Sequence, residues 1–392
     1  MSFASLETSP IGQLTPVQAP DQQTGETASG MAYLPDPLPR DVVLSTETWT
    51  LVNEATGAVA RLDGAARLIP NPSLLRRPAL RREAQSTSAL EGTYAPFPEV
   101  LAADADDVEH ATAAVHEVLN FERMAELAFS WPEDRPLTIG MLSELQRTLV
   151  SGTRGELRDA GQIRERLVLI GAPGSSLDEA RFVPPPPGDQ LRSGVEALLA
   201  WVNEPPPLPA VVHAAMTHYQ FETLHPYSDG NGRLGRLLAI VQLMRGTVIR
   251  EPLLVVSPWF EARREQYQDA LLALSCDGDW DAWIRFFAAG VAASATRSRV
   301  KVERLVALQE LLRERVQRAG KRGVAEQIAA DLVGDPYPNV PSIRLRYRLS
   351  KQGAHNAIRA LVEVGVLEPW EGFVINRAQM YRAPDVMAVL ED

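Results

Sequence analysis

A mainly α-helical protein, with one small β-hairpin and a C-terminal winged helix-turn-helix domain, is what the sequence predicts, on three observations. From "SLLRRPALRREAQSTSALEGTY" onward, apolar residues recur at steps of three to five, the helical period. One Gly/Pro/Ser-rich interruption, "RLVLIGAPGSSLDEARFVPPPP", separates two short apolar runs of strand character. After residue 300, short helical segments lead into a longer helix and a hairpin pattern.

The bounds come from length and charge. At 392 residues the chain exceeds one ordinary core, so two or three domains are expected. A net charge of −11 argues against a wholesale nucleic-acid coat. The single cysteine, Cys276, excludes an internal disulfide framework and a Cys-based zinc cluster, and favours the cytoplasm. No uninterrupted apolar stretch is long enough to span a bilayer, and the N-terminus lacks the basic-then-apolar order of a signal peptide, so no membrane partner is expected.

Residues 1–40 are rich in Pro, Gln, Thr and Gly with little apolar periodicity, and read as a mobile arm or one laid on the surface. Residues 41–125 form an N-terminal region, in which Leu74, Leu75, Ala79, Leu80 and Ala84 mark a helix that must accommodate Pro78 and stops at Gly92. Residues 126–300 hold a helical core with "TIGMLSELQRTLVSG", "GDQLRSGVEALLAWVNE" and "LPAVVHAAMTHYQFETLH" as helices. Within it, Leu167–Ile170 and Arg181–Val183 are expected as paired strands, ended by four prolines that cannot donate to a ladder. Such a hairpin is marginal alone and must lean on something. In residues 301–392, "VERLVALQELLRERVQRA" is a connecting helix ahead of the winged-helix pattern, where Ala357, Ile358, Leu361, Val362 and Val366 make an apolar face.

The segment "LHPYSDGNGRLGRLL" concentrates the chemistry. "DGNG" is turn chemistry, and the helix behind it has Leu234, Leu237, Leu238, Val241 and Leu243 available for a core. The glycines therefore lie at a helix N-terminus, where unpaired N–H groups attract an anion. Arg233 and Arg236, at i and i+3, add charge on one side of that helix. Asp229 can hold Mg²⁺ together with substrate phosphates. His225 is the side chain whose ordinary pKa suits proton transfer near neutrality.

This joint pattern resembles the signature of the Fic family, His-x-Phe-x-Asp/Glu-Gly-Asn-Gly-Arg-x-x-Arg, matched by His225, Tyr227 in the aromatic position, Asp229, Gly230, Asn231, Gly232, Arg233 and Arg236. The resemblance implies a Fic-type helical bundle over roughly residues 75–300. With glycine rather than lysine at 232, it implies the AMP-transferring rather than the phosphate-transferring branch. It further implies ATP and Mg²⁺, with Asp229 on the metal and His225 as general base. The nucleotide would be bound over Gly230, Asn231, Gly232, Arg233, Leu234, Gly235 and Arg236. Tyr267 is a candidate contact for adenine, plain packing being the other reading. The hairpin, with Val168, Leu169, Ile170 and Gly171, would be the flap that aligns the modified segment by strand addition. The implied partner is a protein offering a Ser, Thr or Tyr hydroxyl, the chain itself included.

"STSALEG" resembles the inhibitory motif Ser/Thr-x-x-x-Glu-Gly/Asn of Fic proteins that carry their own inhibitory helix, with Thr87, Glu91 and Gly92 in the fixed positions. Glu91 is thereby expected to pair with Arg236 and to occupy the charge meant for the γ-phosphate. Two further readings stay open. The same His225, Asp229 and Glu91 suit the reverse reaction, removal of AMP from a protein. Arg344, Arg346, Arg348 and Lys351 beside the recognition helix suit a DNA-binding regulator with a nucleotide-sensing Fic domain. A winged helix also serves protein–protein contacts, which leaves a homodimer open.

Overall fold

The computed structural model describes residues 6–20, 27–67, 71–103, 112–172, 175–246, 248–375 and 378–392. Two antiparallel strands, β1 (Gly12–Pro20) and β2 (Thr27–Pro35), come first. The helical body follows as α1 (Thr46–Arg67), α2 (Ser73–Leu90), α3 (Phe97–Ala102), α4 (Ala113–Phe129), α5 (Ile139–Val150), α6 (Asp189–Asn203), α7 (Ala210–Leu224), α8 (Asn231–Arg245), α9 (Ser257–Glu261), α10 (Arg264–Asp277) and α11 (Trp280–Arg318). The C-terminal part holds α12 (Val324–Asp331), α13 (Val340–Arg346), α14 (Lys351–Glu363), an antiparallel pair β3 (Glu368–Ile375) and β4 (Ala378–Arg382), and α15 (Pro384–Glu391). Three helices followed by a two-stranded hairpin is the order of a winged helix.

Burial explains the layering. α7 and α8 are buried almost all round, as helices without a polar stripe must be, so they form the centre and the loop between them is pinned at the middle of the body. α4 and α5 are amphipathic and start on threonine caps: Thr112 accepts from the Val115 N–H, and Thr138 from the Met141 N–H. α1 packs Val52, Ala55, Val59, Leu62 and Ala66 along α11. Its apolar residues keep helical spacing, but Gly57, Gly64 and several threonines lower its intrinsic propensity, so packing against α11 and not the local sequence makes it a helix.

Several expectations change. The N-terminal residues 1–40 are not simply a mobile arm: 12–20 and 27–35 form a ladder with Val17 opposite Gly30, and Tyr33 and Ala32 are wholly buried. The paired strands expected at 167–170 and 181–183 reduce to a single bridge between Ile170 and Phe182, with N–H to O=C distances of 2.9 and 3.0 Å. The boundary expected at 300/301 falls inside α11, a continuous helix of 39 residues whose first half packs Trp283, Ile284 and Phe287 into the central core and whose second half carries Leu312 and Val316 toward the C-terminal helices.

Pro78 shows how α2 meets the C-terminal part. Proline has no N–H to give to the Leu74 carbonyl. Gly334 packs against that oxygen, so closely that a Cβ there would lie 2.3 Å from it.

Candidate active site

The turn from α7 to α8 is over-determined by its own side chains. His225 ends α7 in the left-handed region, φ 48°, an unfavourable place for a residue with a Cβ. Arg164 holds it there: its backbone N–H donates to the Pro226 carbonyl (3.0 Å) and its Nε to the His225 carbonyl (2.8 Å). Asn231 clamps Tyr227 at both ends, accepting from its N–H (2.9 Å) and donating to its carbonyl (2.7 Å). Tyr227 itself is buried, an anchor rather than a reactive group. Gly230, φ 85°, sits where a Cβ would strike Leu149, and opens α8 without any side-chain cap. The first N–H groups of α8 are thus left for a ligand.

They face a polar cleft of about 190 Å³ lined by His225, Asp229, Gly230, Asn231, Gly232 and Arg233, with Glu91, Glu117 and Arg154 on the other walls. Its charges are neutralised from within. Arg233 donates to Asp229 at 2.6 Å and to Glu117 at 3.4 Å, and Arg154 lies 3.6 Å from Glu117. Arg236, behind the cleft and 2% exposed, donates to the Thr87 hydroxyl (2.6 Å), the Thr87 carbonyl (3.2 Å) and Glu91 Oε1 (2.5 Å). Glu91 also presses on Gly232, where a Cβ would stand 2.1 Å from its carboxylate oxygen.

Glu91 is delivered by a helix stop. Gly92, φ 87°, lets the Thr93 N–H bond the Ser88 carbonyl (2.9 Å) and its own N–H bond Ala89 (3.0 Å), the paired bonds of a Schellman ending. The glycine stop and the placement of the carboxylate are therefore one feature. α2 is anchored upstream by buried charges: Glu83 accepts from the Val256 and Ser257 N–H groups (2.7 and 2.9 Å), and Arg81 pairs with Glu122 at 2.9 Å.

The titrating groups are shaped by this burial. Desolvation and the Arg164 guanidinium push the His225 imidazole down to about 4, so it is neutral near pH 7. Its Nδ1 lies 3.3 Å from the Glu222 carbonyl, which can only accept; the proton belongs on Nδ1, and Nε2 keeps the lone pair. Burial works to raise the Glu91 carboxyl, but Arg236, with Arg233 and His225 beyond, holds it below the usual range. Glu222 is pushed up to about 7 by burial, and its Oε1 has no hydrogen-bond partner among the described residues.

The remaining expected residues divide. Leu234 is a core residue, and Gly235 lies against Glu222 and Phe221, so neither side of that pair lines the cleft. Tyr267 is buried in an aromatic cluster with His218, Phe260 and Trp283, its hydroxyl 2.8 Å from His218 Nε2; it is a packing residue and not a wall of the cleft. Val168, Leu169 and Gly171 flank the single bridge of Ile170, a shorter flap than expected. What the flap leans on is the N-terminal hairpin: Val17 and Ala32 pack with Leu177, Ala180 and Val183, and the Tyr33 N–H donates to the Val183 carbonyl at 2.8 Å. The sequence reading missed Glu117, Arg154 and Arg164. Arg164 is 1% exposed; among the described residues its guanidinium bonds carbonyls alone, those of His225, Arg166 and Pro185, and so ties the flap's root to the His225 turn.

Comparison with known proteins bears on this arrangement. Residues 49–130 match the Fic/DOC family N-terminal model, and residues 136–243, which include the whole His225-to-Arg236 segment, match the Fic/DOC family model. The chain carries a Fic domain. A protein named protein adenylyltransferase Fic from Aedes aegypti is 33% identical over 132 residues, 33% of this chain and 23% of that protein. One of the same name from Drosophila yakuba is 30% identical over 154 residues, 39% of this chain and 27% of that one. The chain thus spans only about a quarter of the length of these relatives. In fold, a Fic family protein from Desulfovibrio desulfuricans G20 superposes with a TM-score of 0.55 at 21% identity, over 88% of this chain and 98% of that one. Fic-1 (residues 134–508) from C. elegans gives 0.51 at 19%, over 65% and 74%. Among the described residues, no helix is long and apolar enough to cross a membrane.

Proposed function

We propose that the chain transfers AMP from ATP to a Ser, Thr or Tyr hydroxyl of a protein, and that Glu91 holds the site in a non-productive state. One observation carries the reading: a neutral histidine with its Nε2 lone pair free stands in the same cleft as the uncapped N-terminus of α8. The names of the Fic relatives support the same chemistry.

The N–H groups of Asn231, Gly232 and Arg233 would receive the phosphate chain, with the α8 dipole adding ~0.3–2 kcal/mol. Arg233 would exchange Asp229 and Glu117 for phosphate oxygens, and Arg236 would exchange Glu91. His225 Nε2 takes the proton of the target hydroxyl; its oxygen forms the new bond to the α-phosphorus, and the bond to the leaving pyrophosphate breaks. The histidine's lowered pKa keeps it in the accepting form, and Arg164 keeps its backbone turned toward the cleft.

Among the described residues, no group of three or more His, Cys, Asp and Glu side chains is arranged to hold a metal by itself. The donor set still fits magnesium, which takes one or two carboxylates plus substrate phosphates. Asp229 lines the cleft with its carboxylate 36% exposed and one oxygen engaged by Arg233. Bound there, the ion would neutralise phosphate charge.

The same residues favour a second reading. Glu91 is ionised, partly exposed and in the cleft with His225, so it could orient water against an AMP-modified side chain. Incubation with Mg-ATP followed by intact-mass spectrometry tests the first reading. The Glu91→Gly protein should gain the mass of AMP, and His225→Ala in that background should not. Release of AMP from a pre-modified target by the wild type, without any gain of AMP by Glu91→Gly, would favour the second.

A further inference from the structure

Behind α2, on the side away from the cleft, lies a cavity of about 310 Å³ that the reaction does not use. Leu75, Pro78, Ala79 and Arg82 of α2 form one wall, and by the 3.6-residue repeat Thr87 projects about 130° around the helix axis from the middle of that wall. The floor is buried and apolar, with Phe97, Leu253, Val302, Leu305 and Leu390. The charged side chains are of one sign: Arg82, Arg263, Arg297 and Lys301 line the cavity, and among the described residues no carboxylate side chain does.

None of these four cations forms an ion pair with a side-chain carboxylate among the described residues. Arg82 bonds Gln85 (2.8 Å) and lies over the Phe97 ring; Arg263 lies over Trp259; Arg297 and Lys301 bond the main-chain oxygens of Asp392 and Leu390 (2.5 and 2.9 Å). Ser294 adds an independent sign of a missing ligand: it lines the cavity, is 4% exposed, and its hydroxyl has no hydrogen-bond partner among the described residues. Burial pushes Lys301 down to about 8, with Arg82, Arg297 and Arg304 adding to the shift and Asp392 opposing it.

We propose that this cavity binds a small amphipathic anion, its apolar body on the Phe97/Leu253/Leu305 floor and its carboxylate or phosphate head against Lys301, Arg297 and the Ser294 hydroxyl. An apolar pocket with a few convergent polar groups is the ordinary form of a small-molecule site. The docked α2 is one of its walls, so the ligand binds the state in which Glu91 reaches Arg236 and stabilises it. By linkage it is a co-inhibitor, and ATP bound productively must weaken it by the same factor. This regulatory half rests on Glu91 being a brake; the binding half does not.

Calorimetric titration of the full chain with octanoate and with octyl phosphate tests the site without reference to activity. Saturable one-to-one binding of at least one of them is expected, weakened at least tenfold in Lys301→Met and abolished in Ala79→Phe, which fills the cavity; either variant reports if the other fails to fold. The tighter of the two heads identifies the source. Octanol, octylamine and inorganic phosphate should give no saturable binding. Absence of binding by both anions, undiminished binding in a folded variant, or equal binding of octanol would overturn the site. The anion should lower AMP transfer by the wild type and leave Glu91→Gly unchanged; equal inhibition of both would mean competition at the cleft and would overturn the regulatory half alone.

Discussion

Among the described residues, the Arg236 guanidinium donates to the Thr87 hydroxyl, the Thr87 carbonyl and the Glu91 carboxylate, and replacing Glu91 by glycine removes the bond to the carboxylate. Hydrogen bonds to charged groups contribute ~1.5–3 kcal/mol, and the lower end applies here because the Glu91 side chain is 39% exposed and screened by water. About 1.5 kcal/mol is a factor of about ten in the fraction of molecules able to seat the phosphates productively. Fold should be unaffected, because the Schellman ending depends on Gly92 and on backbone bonds to Ser88 and Ala89. The assay is transfer of label from α-phosphate-labelled ATP to protein at fixed nucleotide concentration. A rise of about tenfold is expected, with Glu91→Gln giving a smaller rise since the amide still accepts a bond. A change of less than twofold in a protein with unaltered thermal unfolding would mean that the ion pair does not restrain Arg236.

Three other outcomes follow from the same geometry. With His225 at about 4 instead of its ordinary 6.5, the base stays deprotonated well below neutrality; Glu91→Gly activity at saturating nucleotide should be flat from about pH 8 to about 6, whereas a base titrating at the ordinary value would lose about fourfold by pH 6. Gly334→Ala should destabilise the whole chain by about 1–3 kcal/mol in denaturant unfolding, since its Cβ would meet the Leu74 carbonyl at 2.3 Å; an unchanged midpoint would mean the C-terminal part does not pack on α2. Leu177→Ala, in the small cluster joining the N-terminal hairpin to the flap, should raise proteolytic cleavage near residues 167–183 with a local loss of about 2–4 kcal/mol, and leave the rest of the chain's protection unaltered.

How legible the site was depends on whether its parts are local. The His225-to-Arg236 segment carries its own geometry, because the Asn231 clamp, the Gly230 turn and the start of α8 all form within a few residues. Glu91 was legible only through the resemblance of "STSALEG" to the Fic inhibitory motif, since Gly92 by itself marks an ordinary helix end. Glu117, Arg154 and Arg164 were not, since each reaches the cleft or the His225 turn from a separate part of the chain and nothing in its own neighbourhood announces a partner. The strand periodicity of the flap overstated its ladder because Leu167, Leu169 and Ile170 are apolar for packing against the N-terminal hairpin, not for pairing. That hairpin was hidden in turn by its Pro, Thr and Gly content, which reads as coil until Tyr33 and Ala32 are seen buried against the flap. Tyr267 had the position of a ligand contact and the burial of a core residue.

We propose that this cleft moves AMP, with His225 as base, and not phosphate. Parallel incubations of the Glu91→Gly protein with ATP labelled at the α- or the γ-phosphate test it most directly. Label from the α position should become protein-bound, label from the γ position should appear only in released pyrophosphate, and His225→Ala should lower the first by ~10²–10⁴-fold. Protein-bound γ label, or α label undiminished by the loss of His225, would contradict it.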